Sequence, residues 1–188
     1  GRAGTGYVNT YTGNLTWVRG DIGFGGNRMP VSIQHIYNLS DAASNDFGLG
    51  YGWRTNYHER ITSTTINEKK YYIWEDSDGT KHYFWNAAYG VFLDEDGLEL
   101  TLNSVDVDTN TGVGSGHFSI TDKYDNVKVY DRKGRLIRII NNQKTKSNIA
   151  ITYTETSGFL IDKITDGAGR VYDFTYSGGL LDTINYYG

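Results

Sequence analysis

The chain has no cysteine, one proline and one methionine among 188 residues. Without cysteine there are no disulfides, no thiol catalysis and no thiolate-ligated zinc. That suits a cytosolic protein, and equally a secreted bacterial protein large enough to fold without covalent cross-links. No stretch approaches the ~18 apolar residues of a membrane span. No charged-then-apolar leader opens the sequence, and Gly1-Arg2-Ala3-Gly4 reads as the cut end of something longer. There is no cationic excess either. The net charge is -4 and the pI is near 5.5, which argues against nucleic acid as a partner. Lys69-Lys70 reads as a solvated hairpin rather than a phosphate site.

What the chain does contain points one way. It has 16 Tyr, 4 Trp and 24 Gly, and 38% of its residues are hydrophobic, enough for a core. Tyr, Thr, Ile and Val favour pleated, half-buried surfaces, and Gly, Asn and Asp favour tight turns. Segments with strand periodicity alternate with turn signals at Gly13-Asn14, Asp76–Gly79, Asp94–Gly97, Asp131–Gly134, Ser157-Gly158, Asp166–Gly169 and Ser177–Gly179. Strands are expected over Tyr57–Ile66 and Leu98–Leu102, among others. No segment combines helical periodicity with caps. The expected fold is all-β, an antiparallel meander of tandem hairpins. Residues 38–52 form a polar, glycine-rich connection long enough to need a packing or functional reason. The expected division is a module at 1–103, a polar loop at 104–116 and repeats at 117–188.

The repeats are visible directly. Thr121-Asp122, Val127, Gly134, Leu136 and Ile139 recur as Thr165-Asp166, Val171, Gly179, Leu181 and Ile184, with a half-register copy at Gly158, Ile161 and Ile164. The unit is therefore twenty-odd residues. Such a unit cannot bury its apolar face alone and must stack on neighbours.

These residues resemble the tyrosine-aspartate (YD, or RHS) repeat. Asp166-Gly167-Ala168-Gly169-Arg170, Tyr176, Gly179, Leu181 and Ile184 match it well, and Asp131–Arg135 matches in part, with the expected tyrosine falling at Tyr153. The first half is similar to the domain that precedes such repeats in bacterial RHS proteins. The matching residues are Val8-Asn9, Thr12–Leu15, His35–Asn38, Phe47–Arg54, Asp78-Gly79 and Tyr83-Phe84. His35 departs from the arginine common there, and Asn56-Tyr57-His58 resembles forms from Gram-positive bacteria. The resemblance implies an open segment of a spiralling β-shell, which encloses a toxin in some bacterial relatives and supports adhesion in animal teneurins. It implies a secreted, cell-wall or cell-surface parent and, as partners, further repeats of the same chain and a C-terminal toxin. The expected structural residues are Gly50, Gly52, Trp53 and Arg54 in the long loop, and Asp166, Gly169, Arg170 and Tyr176 in the repeat. Trp53 and Arg54 would anchor the loop, and Arg170 would pair with a neighbouring turn carboxylate.

Chemistry is sparse. Paired acids at Asp76/Asp78, Asp94–Asp96 and Asp106/Asp108 could serve glycoside hydrolysis, but turn capping accounts for them. Residues 106–112 alternate oxygen ligands like a calcium loop, yet the glycine falls one residue late and His117 stands where a bidentate Glu belongs. His35, His58, His82 and His117 lack metal spacing, and His35 reads as a structural residue. Gly48-x-Gly50-x-Gly52 lacks the strand-then-helix setting of a dinucleotide site. No enzyme, cofactor or metal is expected. The function expected is non-catalytic, to start and cap a β-shell. The alternative is a carbohydrate-binding or adhesive module on the bacterial surface, in which Tyr72, Trp74, Tyr83 and Trp85 stack on glycans.

Overall fold

The computed structural model describes residues 4–10, 13–23, 29–104, 117–142, 148–156 and 158–187. The calcium-like stretch 106–112 therefore lies outside the described residues. Sixteen strands are formed there: β1 (Thr5–Val8), β2 (Leu15–Gly23), β3 (Ser32–Asn38), β4 (Trp53–Thr55), β5 (Arg60–Ile66), β6 (Lys69–Glu75), β7 (Lys81–Ala88), β8 (Val91–Asp94), β9 (Thr101–Asn103), β10 (Phe118–Thr121), β11 (Val127–Tyr130), β12 (Leu136–Ile140), β13 (Asn148–Tyr153), β14 (Ile161–Thr165), β15 (Val171–Ser177) and β16 (Leu180–Tyr187). The single helical element described is a 3-10 turn at Leu39–Asp41. The fold is all-β and antiparallel, built of consecutive hairpins, as the sequence implies.

The chain forms two compact units. The first comprises Gly1–His58, Ser77–Gly79 and Ile149–Gly188. It contains the sheet β1-β2-β3-β4 and the meander β13 to β16. Its core is aliphatic and aromatic: Val31, Ile33, Ile36, Phe47, Ile151, Ile161, Ile164, Tyr172 and Phe174 are buried.

The second unit comprises Glu59–Asp76 and Thr80–Asn148. Strands β5 to β12 follow one another antiparallel in sequence order. Successive side chains on a strand point to opposite faces. One face collects Ile61, Phe84, Phe92, Leu102, Ile120 and Tyr130, all buried. The meander also returns on itself. Ile61 N donates to Gly134 O at 2.8 Å, and Arg60 bridges Arg135. Gly134 sits at φ 79°, and a Cβ there would lie 2.1 Å from Ile61 O. Only glycine lets the two backbones approach so closely.

Two expected strands are shorter than their periodicity suggests. β5 begins at Arg60, not Tyr57. Thr55 to His58 turns instead, with His58 N bonded to Thr55 O at 3.1 Å and Thr55 N bonded to His58 Nδ1 at 2.9 Å. β9 begins at Thr101, not Leu98. The Asp94 carboxylate captures the amides of Leu98 (2.7 Å) and Leu100 (2.6 Å), which winds 98–100 around it. A side-chain acceptor that offers the backbone an alternative to the ladder overrides period-two patterning.

Candidate functional site

Two arrangements recur along the chain. The first is an aspartate turn. Asp166 Oδ1 accepts from the amides of Ala168 and Arg170, both at 2.9 Å, and Oδ2 accepts from Arg170 Nε at 2.5 Å. Gly169, at φ 87°, closes the turn by donating to Asp166 O. In the second unit Asp131 makes the same bonds to Lys133 N, Arg135 N and Arg135 Nε. Asp122 makes them to Tyr124 N, Asn126 N and Asn126 Nδ2, with Asp125 at φ 61° in the glycine position. Arg170 thus pairs with the carboxylate of its own turn. Asp166 is buried, so this charge-assisted bond satisfies an ion that would otherwise be costly to desolvate.

The second recurrence is a tyrosine after a register shift. Tyr130, Tyr153 and Tyr176 stand 23 residues apart. Each follows a shift in its hairpin, and they pair with Leu136, Ile161 and Leu181. The tyrosine that belongs with the Asp122 turn is therefore Tyr130, and Tyr153 heads the next hairpin. Tyr176 donates its hydroxyl to Ile161 O at 2.8 Å. Burial pushes its phenol well above the ordinary tyrosine range.

The long loop of the first unit is held by packing. Arg54 is fully buried, pairs with Asp41, donates to His58 O at 3.2 Å and lies 4.6 Å over the Phe47 ring. Phe47 contacts the rings of His58 and Phe159. Trp53 meets Tyr37 at 5.3 Å. Gly50 and Gly52 have φ of 104° and 80°, and a Cβ on Gly52 would meet the Tyr37 ring at 2.6 Å. Asn38 is buried, and its amide donates to Asp78 O at 2.7 Å. His35 has a lowered pKa, from burial first and the Arg19 charge second.

The four expected stacking aromatics do not form one platform. Pairing places Tyr72 opposite Phe84 and Trp74 opposite His82, on the buried face of β6 and β7. Tyr83 and Trp85 stand on the other face, opposite Ile73 and Tyr71. Tyr72 packs on Phe92 and Phe118. Trp74 donates to Glu59 Oε1 at 2.7 Å. Trp85 is 43% exposed, which leaves it available to a ligand.

Two ionic clusters in the second unit have no local sequence signal. Glu59, buried, receives Trp74 Nε1, Tyr130 OH at 2.9 Å and Lys128 Nζ at 2.8 Å. The latter partners lie 71 and 69 residues away. His82 lies between two carboxylates, with Nε2 2.7 Å from Asp76 Oδ2 and Nδ1 2.8 Å from Asp96 Oδ2. Ionised carboxylates only accept, so both ring nitrogens must donate and the ring is an imidazolium. Its pKa is accordingly raised, chiefly by the Asp76 hydrogen bond, against the effect of burial. The sign follows. A group with a raised folded pKa stabilises fully below its unfolded value, 6.5 here, and loses that contribution as pH climbs through the folded value. His35 acts oppositely, so the comparison must be with a variant. The urea midpoint of wild type relative to His82→Gln should be highest near pH 5 and shrink above pH ~6.5. A difference independent of pH would contradict the clamp.

Among the described residues, no group of three or more His, Asp or Glu side chains is placed to hold a metal ion. Asp76 and Asp94, one acid from each of the described pairs, are occupied by backbone amides. Asp76 Oδ1 accepts Thr80 N at 3.0 Å, and Asp94 serves Leu98 and Leu100. Among the described residues, no helix is long and apolar enough to cross a membrane.

Against known families, residues 5–84 match one described as "Domain of unknown function (DUF6531)". The match spans β1 to the first half of β7 and includes the Arg54 node. No curated protein matches the chain.

Proposed function

We infer that this chain is a non-catalytic wall segment of a larger RHS/YD-repeat protein, secreted or held at the cell surface. Its role is to begin a β-shell, and its principal partner is the remainder of the same chain. One observation carries this reading: the same hairpin, with its shifted tyrosine, recurs at 23-residue intervals, and an identical aspartate turn serves repeats in each unit. Repeats of this kind have their stabilising surface on the neighbouring copy. Asp76, Asp94, Asp122, Asp131 and Asp166 each cap their own turn, which favours a structural role for these acids over hydrolysis. Limited proteolysis of the full-length parent, with and without this segment, tests the reading. The repeats that follow should become protease-sensitive when the segment is deleted. Equal resistance in both forms would sink it.

A second reading, an adhesive module of the bacterial surface, is favoured by one feature, the exposed Trp85 beside an open groove.

A further inference from the structure

Strands β6, β7 and β8 carry a groove of ≈ 790 Å³ lined by Lys69, Tyr71, Trp85, Asn86, Asp94 and Glu95, with Lys70 at its end. That volume lies within the ~300–1,000 Å³ of small-ligand sites. Tyr71 and Trp85 stand directly opposite each other on neighbouring strands. Neighbouring strands lie about 4.8 Å apart, so the two aromatic residues stand side by side along the groove. Leu93 stands opposite Trp85 on β8 and is itself partly exposed.

The rim decides what suits this groove. It carries two lysines and two carboxylates, so it is balanced in charge and favours neither a polyanion nor a cation. Asp94 is fixed by the amides of Leu98 and Leu100 and forms a rigid wall. Lys69 offers donors and Glu95 acceptors, whereas the Asn86 amide donates to Ala88 O at 3.1 Å. An extended peptide would need a free sheet edge for its backbone. Here β6 and β7 are hydrogen-bonded on both sides, so none is available. The remaining match is an uncharged ligand with a flat apolar face and a ring of hydroxyls.

We propose that this groove binds a neutral oligosaccharide, with pyranose rings stacked on Tyr71 and Trp85 and hydroxyls bonded by Lys69 and Glu95. The assignment gives the adhesive reading a site and rests on that reading alone. Its failure would leave the protease-protection result of the wall reading untouched.

The test is calorimetric titration of the protein with cellotetraose and with tetra-N-acetylchitotetraose. At least one should bind saturably with Kd below ~1 mM. Trp85→Ala should weaken binding ~10-fold or more, and Glu95→Gln by a smaller factor, each with an unchanged circular dichroism spectrum. Amide shifts in the wild-type protein should cluster at Lys69–Tyr71, Trp85-Asn86 and Asp94-Glu95, a readout that holds even if a variant misfolds. No saturable binding of either sugar, full affinity in a folded Trp85→Ala protein, or shifts confined to other strands would each overturn the assignment.

Discussion

Glu59→Ala is expected to destabilise the protein by about 3–5 kcal/mol, the usual cost of removing one partner from a buried ionic network. The substitution strips the acceptor from three donors at once: Trp74 Nε1, the hydroxyl of fully buried Tyr130, and Lys128 Nζ. A buried donor left without an acceptor forfeits its hydration with nothing in return. Glu59→Gln should be milder. Its amide oxygen can still serve Trp74 and Tyr130, but its NH2 would face the Lys128 ammonium, donor against donor. Adding Lys128→Met to Glu59→Gln should therefore recover part of the loss, a non-additive outcome readable in a double-mutant cycle by urea denaturation. Additive losses would show that Lys128, whose side chain is partly exposed, is a bystander. Hydrogen exchange should place the damage in β5, β6 and β11, the strands that meet at this carboxylate.

Arg54→Ala is expected to cost a similar ~3–5 kcal/mol, this time in the first unit. The guanidinium is buried among Asp41, the carbonyl of His58 and the Phe47 ring. Its loss leaves Asp41 without its cation and a void under an aromatic ring. Arg54→Lys should recover only part. A lysine restores charge but not the planar fork that reaches a carboxylate and a carbonyl while lying over a ring. Urea denaturation, with Trp53 as the local fluorescence probe, checks both variants. A loss under ~1 kcal/mol for Arg54→Ala would mean that the node behaves as a surface pair.

The sequence made the architecture legible because its signals are local. Asp166, Gly169 and Arg170 sit within five residues, and their bonds stay inside that turn. Alternating strands and turn signals mark the hairpins, and the 3-10 turn at Leu39–Asp41 is too short to alter the class. The strand boundaries at Tyr57 and Leu98 were hidden by a different local force. Thr55, His58 and Asp94 each capture backbone amides that pattern alone would assign to a ladder. The site was less legible because face assignment depends on pairing register. Tyr72, Trp74, Tyr83 and Trp85 are near neighbours in sequence, yet the register sends two to each side. A slip of one residue would reverse the faces. Glu59 could not be singled out at all, since two of its partners lie some seventy positions downstream.

The shifted hairpin also bears on how such a chain can lengthen. Side chains alternate in and out, so a single-residue insertion in a paired strand inverts everything beyond it. Opposite Tyr130, Tyr153 and Tyr176 this chain carries its odd residue at the same point of each hairpin, as Ile137, Asp162 and Asp182 on the returning strand. Duplicating a whole unit copies the correction together with the strand. Evolution can thus add or delete copies without exchanging the two faces of the sheet.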